Sequence, residues 1–277
     1  MSELLLPDGF KLHFEVHRDV SPVDLVLIHG NLASSRWWGP LIEAWRKRRP
    51  DTSRSGSLIL ADWRGCGKSS DPRGPAELRM ETLAGDYLRL LDHLGIAQAD
   101  VVGHSTGGTI ALCAMCLEPA RVRKAVLLDS VGAVGVRFGD EMKAAFRAMA
   151  SDKALTATVI GSTIRGNDPQ SAFFKEVVVE DAYRAVRAQG LWLLEALEGL
   201  DLARSLRSLR QPVLVLHGEH DTLLAKAESR QLASLLPNGR YLELAGCGHC
   251  GNIEAPEAFA QVLKEFLSEK PAELTRP

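Results

Sequence analysis

The chain has 277 residues, of which 45% are hydrophobic, and its 33 basic and 35 acidic side chains leave a net charge of −2. This balance gives no basic surface for nucleic acid or an anionic membrane, and no run approaches the roughly 18 apolar residues that cross a bilayer. The length fits a single globular catalytic domain that buries about three quarters of the surface its unfolded chain exposes.

The amino-terminal residues are predicted to form a hairpin of strands 3–6 and 10–16, joined through Pro7-Asp8-Gly9. They lack the basic segment and long apolar stretch of a secretory signal. The five cysteines are an odd number, which argues against a disulfide framework. We therefore expect reduced thiols and a cytoplasmic location.

Further along the chain, short apolar runs bounded by turn residues predict six more strands, with helices between them. The strands are 23–28, 57–61, 99–102, 125–128, 212–217 and 240–244. The helices are 80–94, 108–117 and 258–267. Buried strands that alternate with helices are typical of a parallel sheet. We predict an α/β fold with a mostly parallel, eight-stranded sheet flanked by helices.

The segment 131–208 breaks this pattern, because a connection between a strand and a helix normally takes only a handful of residues. Apolar residues recur at helical spacing in two places: Met142, Ala145, Phe146 and Met149, and then Leu191, Leu194 and Leu197. Only 177–179 resembles a strand. We predict that 131–208 is a helical cap, inserted before the last strands of a core formed by 1–130 and 209–277. The main role predicted for its apolar residues is to pack the core and the cap, and their secondary role is to line a pocket for the acyl chain.

The run Gly103-His104-Ser105-Thr106-Gly107 fits the pattern G-x-S-x-G, and it lies between a predicted strand and a predicted helix. A strand that turns at once into a helix holds the turn residue in a strained conformation and projects its side chain outward. The two glycines stand where side chains would collide as strand and helix pack together. We therefore predict that Ser105 is a nucleophile and more than a turn residue.

A serine nucleophile needs a base and an acid that orients the base. Asp221 and His249 each follow a predicted strand, as Ser105 does. The carboxyl ends of parallel strands meet at one edge of the sheet, so these three residues are predicted to converge there. The order Ser, Asp, His is the one expected with a strained nucleophile turn.

An oxyanion site is the fourth component of this chemistry. One N–H is expected from Thr106, the residue after the nucleophile, at the amino end of its helix. The second is expected from the loop His29-Gly30-Asn31-Leu32, which follows strand 23–28. Asn31 is the first choice for that donor, and Leu32 is the second.

With these residues in place, the chain resembles the α/β-hydrolase fold family. The resemblance covers the chain except its middle, and the matching stretches are 29–32, 62–69, 103–108, 217–221 and 246–249. It implies Ser105 as nucleophile, His249 as base and Asp221 as acid, with Asn31 and Thr106 as oxyanion donors. Some relatives carry the acid one strand earlier, where this chain has Asp129, and Asp129 therefore stays an alternative acid.

Other motifs point to other chemistry but lack its context. Cys247-Gly248-His249-Cys250 spells C-x-x-C, yet it follows a late strand, whereas a redox pair needs its first cysteine at a helix amino terminus. Together with Cys113 and Cys116 it could suggest a zinc site, but that first pair sits in an apolar helix, and buried thiols are the better account. Trp37 and Trp38 are expected to pack the first helix.

The sequence thus predicts a serine hydrolase that cleaves a small-molecule carboxylic ester through an acyl-enzyme, without metal or organic cofactor. Lactones, thioesters and carbon–carbon bonds beside a ketone are alternatives that share the same catalytic residues. A ligand-binding protein without turnover is an alternative from another class. The sequence leaves the oligomeric state open.

Overall fold

The computed structural model describes residues 2–47 and 56–269, and it places eight strands in one sheet with the order β1-β2-β4-β3-β5-β6-β7-β8. The strands are β1 (Ser2–Leu5), β2 (Lys11–Ser21), β3 (Leu25–Ile28), β4 (Gly56–Asp62), β5 (Ala99–His104), β6 (Val122–Leu128), β7 (Val213–Gly218) and β8 (Gly239–Leu244). The pairs β1·β2 and β2·β4 are antiparallel, and all other pairs are parallel. The predicted hairpin and the predicted fold class are confirmed.

Eleven α-helices lie within the described ranges. They are α1 (Gly39–Lys47), α2 (Met80–His93), α3 (Thr106–Leu117), α4 (Asp140–Met149), α5 (Lys153–Ser162), α6 (Val179–Gln189), α7 (Trp192–Glu198), α8 (Ala203–Leu206), α9 (Lys226–Leu235), α10 (Gly251–Glu254) and α11 (Pro256–Ser268). Within the described ranges, no helix combines the length and the apolar character that crossing a bilayer requires.

Alternate residues of the buried strands face two separate hydrophobic cores. Leu25 and Leu27 of β3 pack with Trp45 of α1 and Phe259 of α11 on one face. Val26 and Ile28 face a second core that includes residues of α2, α3 and α9. This alternation follows from the two-residue period of a strand, and it explains why the central strands are apolar on both faces.

Helices α4 to α8 all lie between β6 and β7, in the segment predicted to be helical. Their buried residues, such as Met149, Ile160 and Val186, belong to the same core as α2 and α3. The strand-like run 177–179 is helical: it spans the end of a π-helical turn, Phe174–Val178, and the start of α6. Burial of Val178 inside this helical layer outweighs the preference of β-branched residues for strands.

The close approach of β5 and α3 requires a glycine at position 103. A Cβ atom there would lie 2.4 Å from the carbonyl oxygen of Gly107 and 2.6 Å from the Cα of Gly108. Both neighbours are backbone atoms of the helix, so neither can rotate away.

We predict that Gly103→Ala lowers the free energy of unfolding by about 2–3 kcal/mol, because the added methyl group forces α3 away from β5. Urea denaturation at constant pH measures this change. Gly199→Ala is the matched control, since a Cβ atom at Gly199 meets nothing within 4 Å and its φ is −91°. Equal losses in the two variants would contradict the steric explanation.

Candidate active site

Ser105 occupies the turn between β5 and α3 with a backbone conformation that non-glycine residues rarely adopt, φ 53° and ψ −122°. Its N–H donates to the carbonyl of Leu128 (2.9 Å), and its carbonyl accepts the N–H of Gly108 (3.0 Å). These bonds to β6 and α3 hold the strained turn in place. The strain predicted from the sequence is present.

Asp221 and His249 meet as the acid and base of a triad require. The Nδ1 atom of His249 lies 2.8 Å from Oδ2 of Asp221, while Oδ1 accepts the N–H groups of Leu223 (2.7 Å) and Leu224 (3.3 Å). Burial acts to raise the pKa of Asp221, but the hydrogen bond and charge of His249 and these N–H groups outweigh it and hold the pKa below its ordinary value. The carboxylate is therefore ionised against the imidazole.

The loops that carry this pair are bound to each other. The N–H of His220 donates to the carbonyl of Cys247 (2.7 Å). A Cβ atom at Gly218 would stand 1.9 Å from the carbonyl oxygen of Gly248, so only glycine allows this approach. Glu254 accepts the N–H groups of Gly248 and Cys250 on either side of His249. No motif in the sequence marks Glu254, because its partners become its neighbours only when the loop folds back.

His104 supports the base from inside the nucleophile motif. Its Nε2 lies 2.9 Å from the carbonyl oxygen of His249, and the two rings are 5.0 Å apart. Burial, and secondarily the neighbouring His249, lower the pKa of His104 to about 3. A neutral ring whose Nε2 carries the proton donates to that carbonyl. In the sequence, His104 stands at the first unspecified position of G-x-S-x-G, so the motif alone predicts no role for it.

The oxyanion donors predicted from the sequence lie beside Ser105. Thr106 is the first residue of α3, so its N–H has no acceptor within the helix. Leu32 has φ 57°, and its own N–H donates to Oδ1 of Asn31 (2.8 Å). This bond engages the N–H of the second-choice donor.

A cavity of about 390 Å³ opens above these residues, and Ser105, His249, Asn31 and Thr106 line it. We call this space the apolar arm, because its other walls are mainly apolar side chains from the helices between β6 and β7. These side chains include Met142, Phe146, Val159, Ile160, Leu194 and Leu197. A groove of about 670 Å³ lies elsewhere, along α2, and is larger, but it contains none of the candidate catalytic residues.

The two tryptophans after the oxyanion loop have different positions. Trp38 packs in the core with α1, as predicted. Trp37 is equally buried but lines the apolar arm, so packing the first helix is not its only contact. Adjacent residues of a helical turn point in different directions. The sequence alone does not show which of the two side chains faces the cavity.

Asp129, the alternative acid, lies behind Asp221. Its Oδ1 accepts the N–H of Gly218 (2.7 Å), and carboxylate atoms of the two aspartates lie within 4.8 Å of Nδ1 of His217 and of each other. Burial, together with the negative charge of Asp221, raises the pKa of Asp129 well above its ordinary value. The raised pKa favours the protonated form of Asp129, while Asp221 is hydrogen-bonded to His249.

The cysteines beside His249 are free thiols in the interior. Burial raises the pKa of Cys247 to about 11, and burial also raises the pKa of Cys250 well above its ordinary value. Helix α10 begins at Gly251, directly after Cys250, where the sequence predicted no helix before 258. Cys247 lies ahead of this helix, so no helix dipole lowers its pKa, and a thiol in this state is a poor redox nucleophile.

The geometry defines a protein with a nucleophile turn at the carboxyl rim of a mostly parallel sheet. Residues 25–256 match the family model described as the alpha/beta hydrolase fold. The chain belongs to the α/β-hydrolase fold family, and it is a hydrolase of that family.

Several known proteins resemble the chain over nearly its full length. The 2-hydroxymuconate semialdehyde hydrolase of Pseudomonas sp. strain CF600 is 28% identical over 274 residues, which cover 93% of this chain and 91% of that protein. The enol-lactonase of Burkholderia xenovorans LB400 is 26% identical, with a TM-score of 0.80 and coverage of 97% and 100%. An esterase of Exiguobacterium antarcticum, 20% identical with a TM-score of 0.83 and coverage of 97% and 99%, shares the fold.

Two buried histidines of the site make stability depend on pH. Burial lowers the pKa of His29 to about 4, and the pKa of His104 is lowered to about 3, from an unfolded value near 6.5. The unfolded chain therefore binds more protons below pH 6.5, and the free energy of unfolding should fall as the pH drops from 6.5 towards 4.

We predict that His104→Asn flattens this dependence by about 1 kcal/mol per pH unit, since one titrating group is removed. Urea denaturation at pH 5, 6 and 7 measures the slope. His93→Asn, which removes an exposed histidine, is the control. An unchanged slope in His104→Asn would show that His104 is already charged in the folded protein at pH 5.

Proposed function

We propose that this protein hydrolyses carboxylic esters through an acyl-enzyme formed on Ser105. The observation that carries the proposal is the hydrogen bond between Asp221 and His249, with His249 lining the same cavity as the strained Ser105. A buried, ionised acid against the Nδ1 atom of a histidine, beside a serine on a nucleophile turn, is the arrangement that acyl transfer requires.

In the proposed first step, Nε2 of His249 takes the hydroxyl proton of Ser105 as the oxygen attacks the ester carbonyl. Asp221 holds the imidazole in the tautomer with Nδ1 protonated and stabilises the imidazolium that forms. The N–H groups of Asn31 and Thr106 bind the oxyanion, each contributing about 3–4 kcal/mol in comparable sites.

Collapse of the tetrahedral intermediate then transfers the proton from His249 to the leaving oxygen. An acyl group stays on Ser105, and water activated by His249 releases the carboxylic acid. No step of this proposed reaction calls for a metal or an organic cofactor. The helical segment 131–208 serves as the cap, and its apolar side chains hold the acyl chain.

The similarity to an enol-lactonase supports ester cleavage, because a lactone is a cyclic ester. The 2-hydroxymuconate semialdehyde hydrolase is a relative that favours a second candidate, cleavage of a carbon–carbon bond beside a ketone. Both reactions use the same nucleophile, base and oxyanion donors. A kinetic screen of p-nitrophenyl esters of increasing chain length, beside lactones, thioesters and a ring-opened diketone, separates them.

A binding protein without turnover would lack a reactive serine. A fluorophosphonate probe should label Ser105 stoichiometrically in the wild-type protein. Absence of labelling in folded protein would support the binding alternative.

We predict that Ser105→Ala lowers kcat for the best ester by about 10⁶-fold while the protein stays folded, since the variant has no nucleophile. Stopped assays on protein from a host lacking background esterase measure the residual rate, and circular dichroism checks the fold. Retention of a tenth of the wild-type rate would remove Ser105 from the mechanism.

We predict that Asp221→Asn lowers kcat by about 10⁴-fold, because the amide neither stabilises the imidazolium nor favours the correct tautomer. Asp129→Asn is the matched control at the neighbouring buried carboxyl. It should change kcat by less than about tenfold, because Asp129 is not the hydrogen-bond partner of His249, and an amide oxygen can still accept the N–H of Gly218. The opposite ranking would assign the acid to Asp129.

A further inference from the structure

A second cavity of about 370 Å³ adjoins the apolar arm and differs from it in chemistry. The two spaces share four lining residues, Ser162, Thr163, Leu223 and His249. We call the second space the polar arm, because its own lining residues are mainly polar. They are Arg165, Gly166, His220, Thr222 and Gly248.

Arg165 gives the polar arm a cation without an acidic partner. Its Nε donates to the carbonyl of Gly246 (3.1 Å), and among the residues that the structure describes no carboxylate lies within ion-pair distance of its guanidinium. The nearby Glu254 instead accepts the backbone N–H of Arg165 (3.0 Å) as well as two N–H groups of the His249 loop. The exposed guanidinium therefore keeps donors free for an incoming anion.

The carboxylates near the polar arm, Glu219 and Glu254, accept backbone N–H groups. His220 lines the polar arm, with Nε2 3.8 Å from the carboxylate of Glu219. Glu219 is occupied in turn by the N–H of Gly246 (2.8 Å). Neither glutamate is among the residues that line the polar arm, whereas Arg165 is.

The position of the two arms relative to the base assigns each a part of the substrate. Ser105, Asn31 and Thr106 line the apolar arm only, whereas His249 lines both arms. In acyl transfer the base must deliver its proton to the leaving oxygen, which therefore lies beside His249 and away from the oxyanion donors. The polar arm is the cavity that shares His249 with the apolar arm but includes neither oxyanion donor.

We infer that the polar arm binds the leaving group of the ester, and that Arg165 selects leaving groups that carry a carboxylate or a similar anion. This inference rests on the proposed esterase function. The substrate class is thus an ester with an apolar acyl chain and an anionic alcohol. A planar guanidinium with free N–H donors matches a carboxylate by paired hydrogen bonds, which a neutral alcohol cannot form.

A second cation, Arg137, lies at the apolar arm and provides an internal comparison. Glu198 lies near it and forms an ion pair with Lys143 (2.8 Å). Lys143 chiefly, and Arg137 to a smaller extent, lower the pKa of the Glu198 carboxyl. Arg137 would favour a negative charge on the acyl chain of the ester. The two arginines therefore predict opposite substrate preferences.

The test compares 4-carboxyphenyl butyrate, whose leaving group is anionic, with the neutral 4-(methoxycarbonyl)phenyl butyrate. Arg165→Gln should lower kcat/KM for the anionic ester by about 10- to 100-fold and leave the neutral ester within about twofold. Taking the ratio of variant to wild type cancels the different intrinsic reactivity of the two phenols. Arg165→Lys should keep part of the preference for the anionic ester that Arg165→Gln loses, because lysine keeps the positive charge but lacks the paired N–H donors of the guanidinium.

Arg147→Gln on α4 is the matched control, since Arg147 is an exposed arginine of the same helical segment that lines neither arm. It should leave both substrates unchanged. An unchanged anionic-to-neutral ratio in Arg165→Gln, or loss of the anionic preference in Arg137→Gln instead, would overturn the inference.

Failure of the proposed function has a different signature. If neither ester is cleaved and the fluorophosphonate probe does not label Ser105, the esterase proposal is wrong and the leaving-group inference is wrong with it. If the neutral ester is cleaved and Ser105 is labelled, but Arg165→Gln treats both esters as the wild type does, only the leaving-group inference is wrong.

Discussion

The direct passage of β5 into α3 is the constraint on which the candidate site depends. Because the backbone atoms of 107 and 108 pass within 2.6 Å of where a Cβ of residue 103 would stand, strand and helix pack without a side chain between them. Ser105 is then held at a positive φ, and the amino end of α3 is directed at its side chain. The proposed nucleophile and one proposed oxyanion donor are thus positioned by a single packing contact.

The electrostatics of the site depend on two aspartates that lie close together but have different partners. Asp221 accepts two backbone N–H groups and pairs with His249, and these bonds favour its ionised form. Asp129 is more deeply buried and has one N–H donor, so burial and the charge of Asp221 favour its neutral form. The pKa values of neighbouring carboxyl groups separate in this way when one group accepts more hydrogen bonds than the other.

The helical segment between β6 and β7 contributes to the walls of both cavities at the candidate site. It supplies most of the apolar side chains above Ser105, and it also supplies Arg165, which faces the loops after β7 and β8. One inserted segment therefore provides both apolar and charged surfaces around the base. This division suits a substrate with unlike ends better than a uniformly apolar one.

The sequence by itself determined the order of the eight strands and of the long helices α2, α3 and α11, because periodicity and turn residues act between neighbours in the chain. It also placed Ser105, Asp221 and His249 after strands that end on one rim. Only the tertiary structure decided that Asp221, and not Asp129, lies against His249, that the N–H of Leu32 is engaged, and that Trp37 lines the cavity. It also decided that 177–179 is helical and that α10 follows Cys250. These outcomes depend on burial and on contacts between residues distant in the chain, which local patterns do not encode.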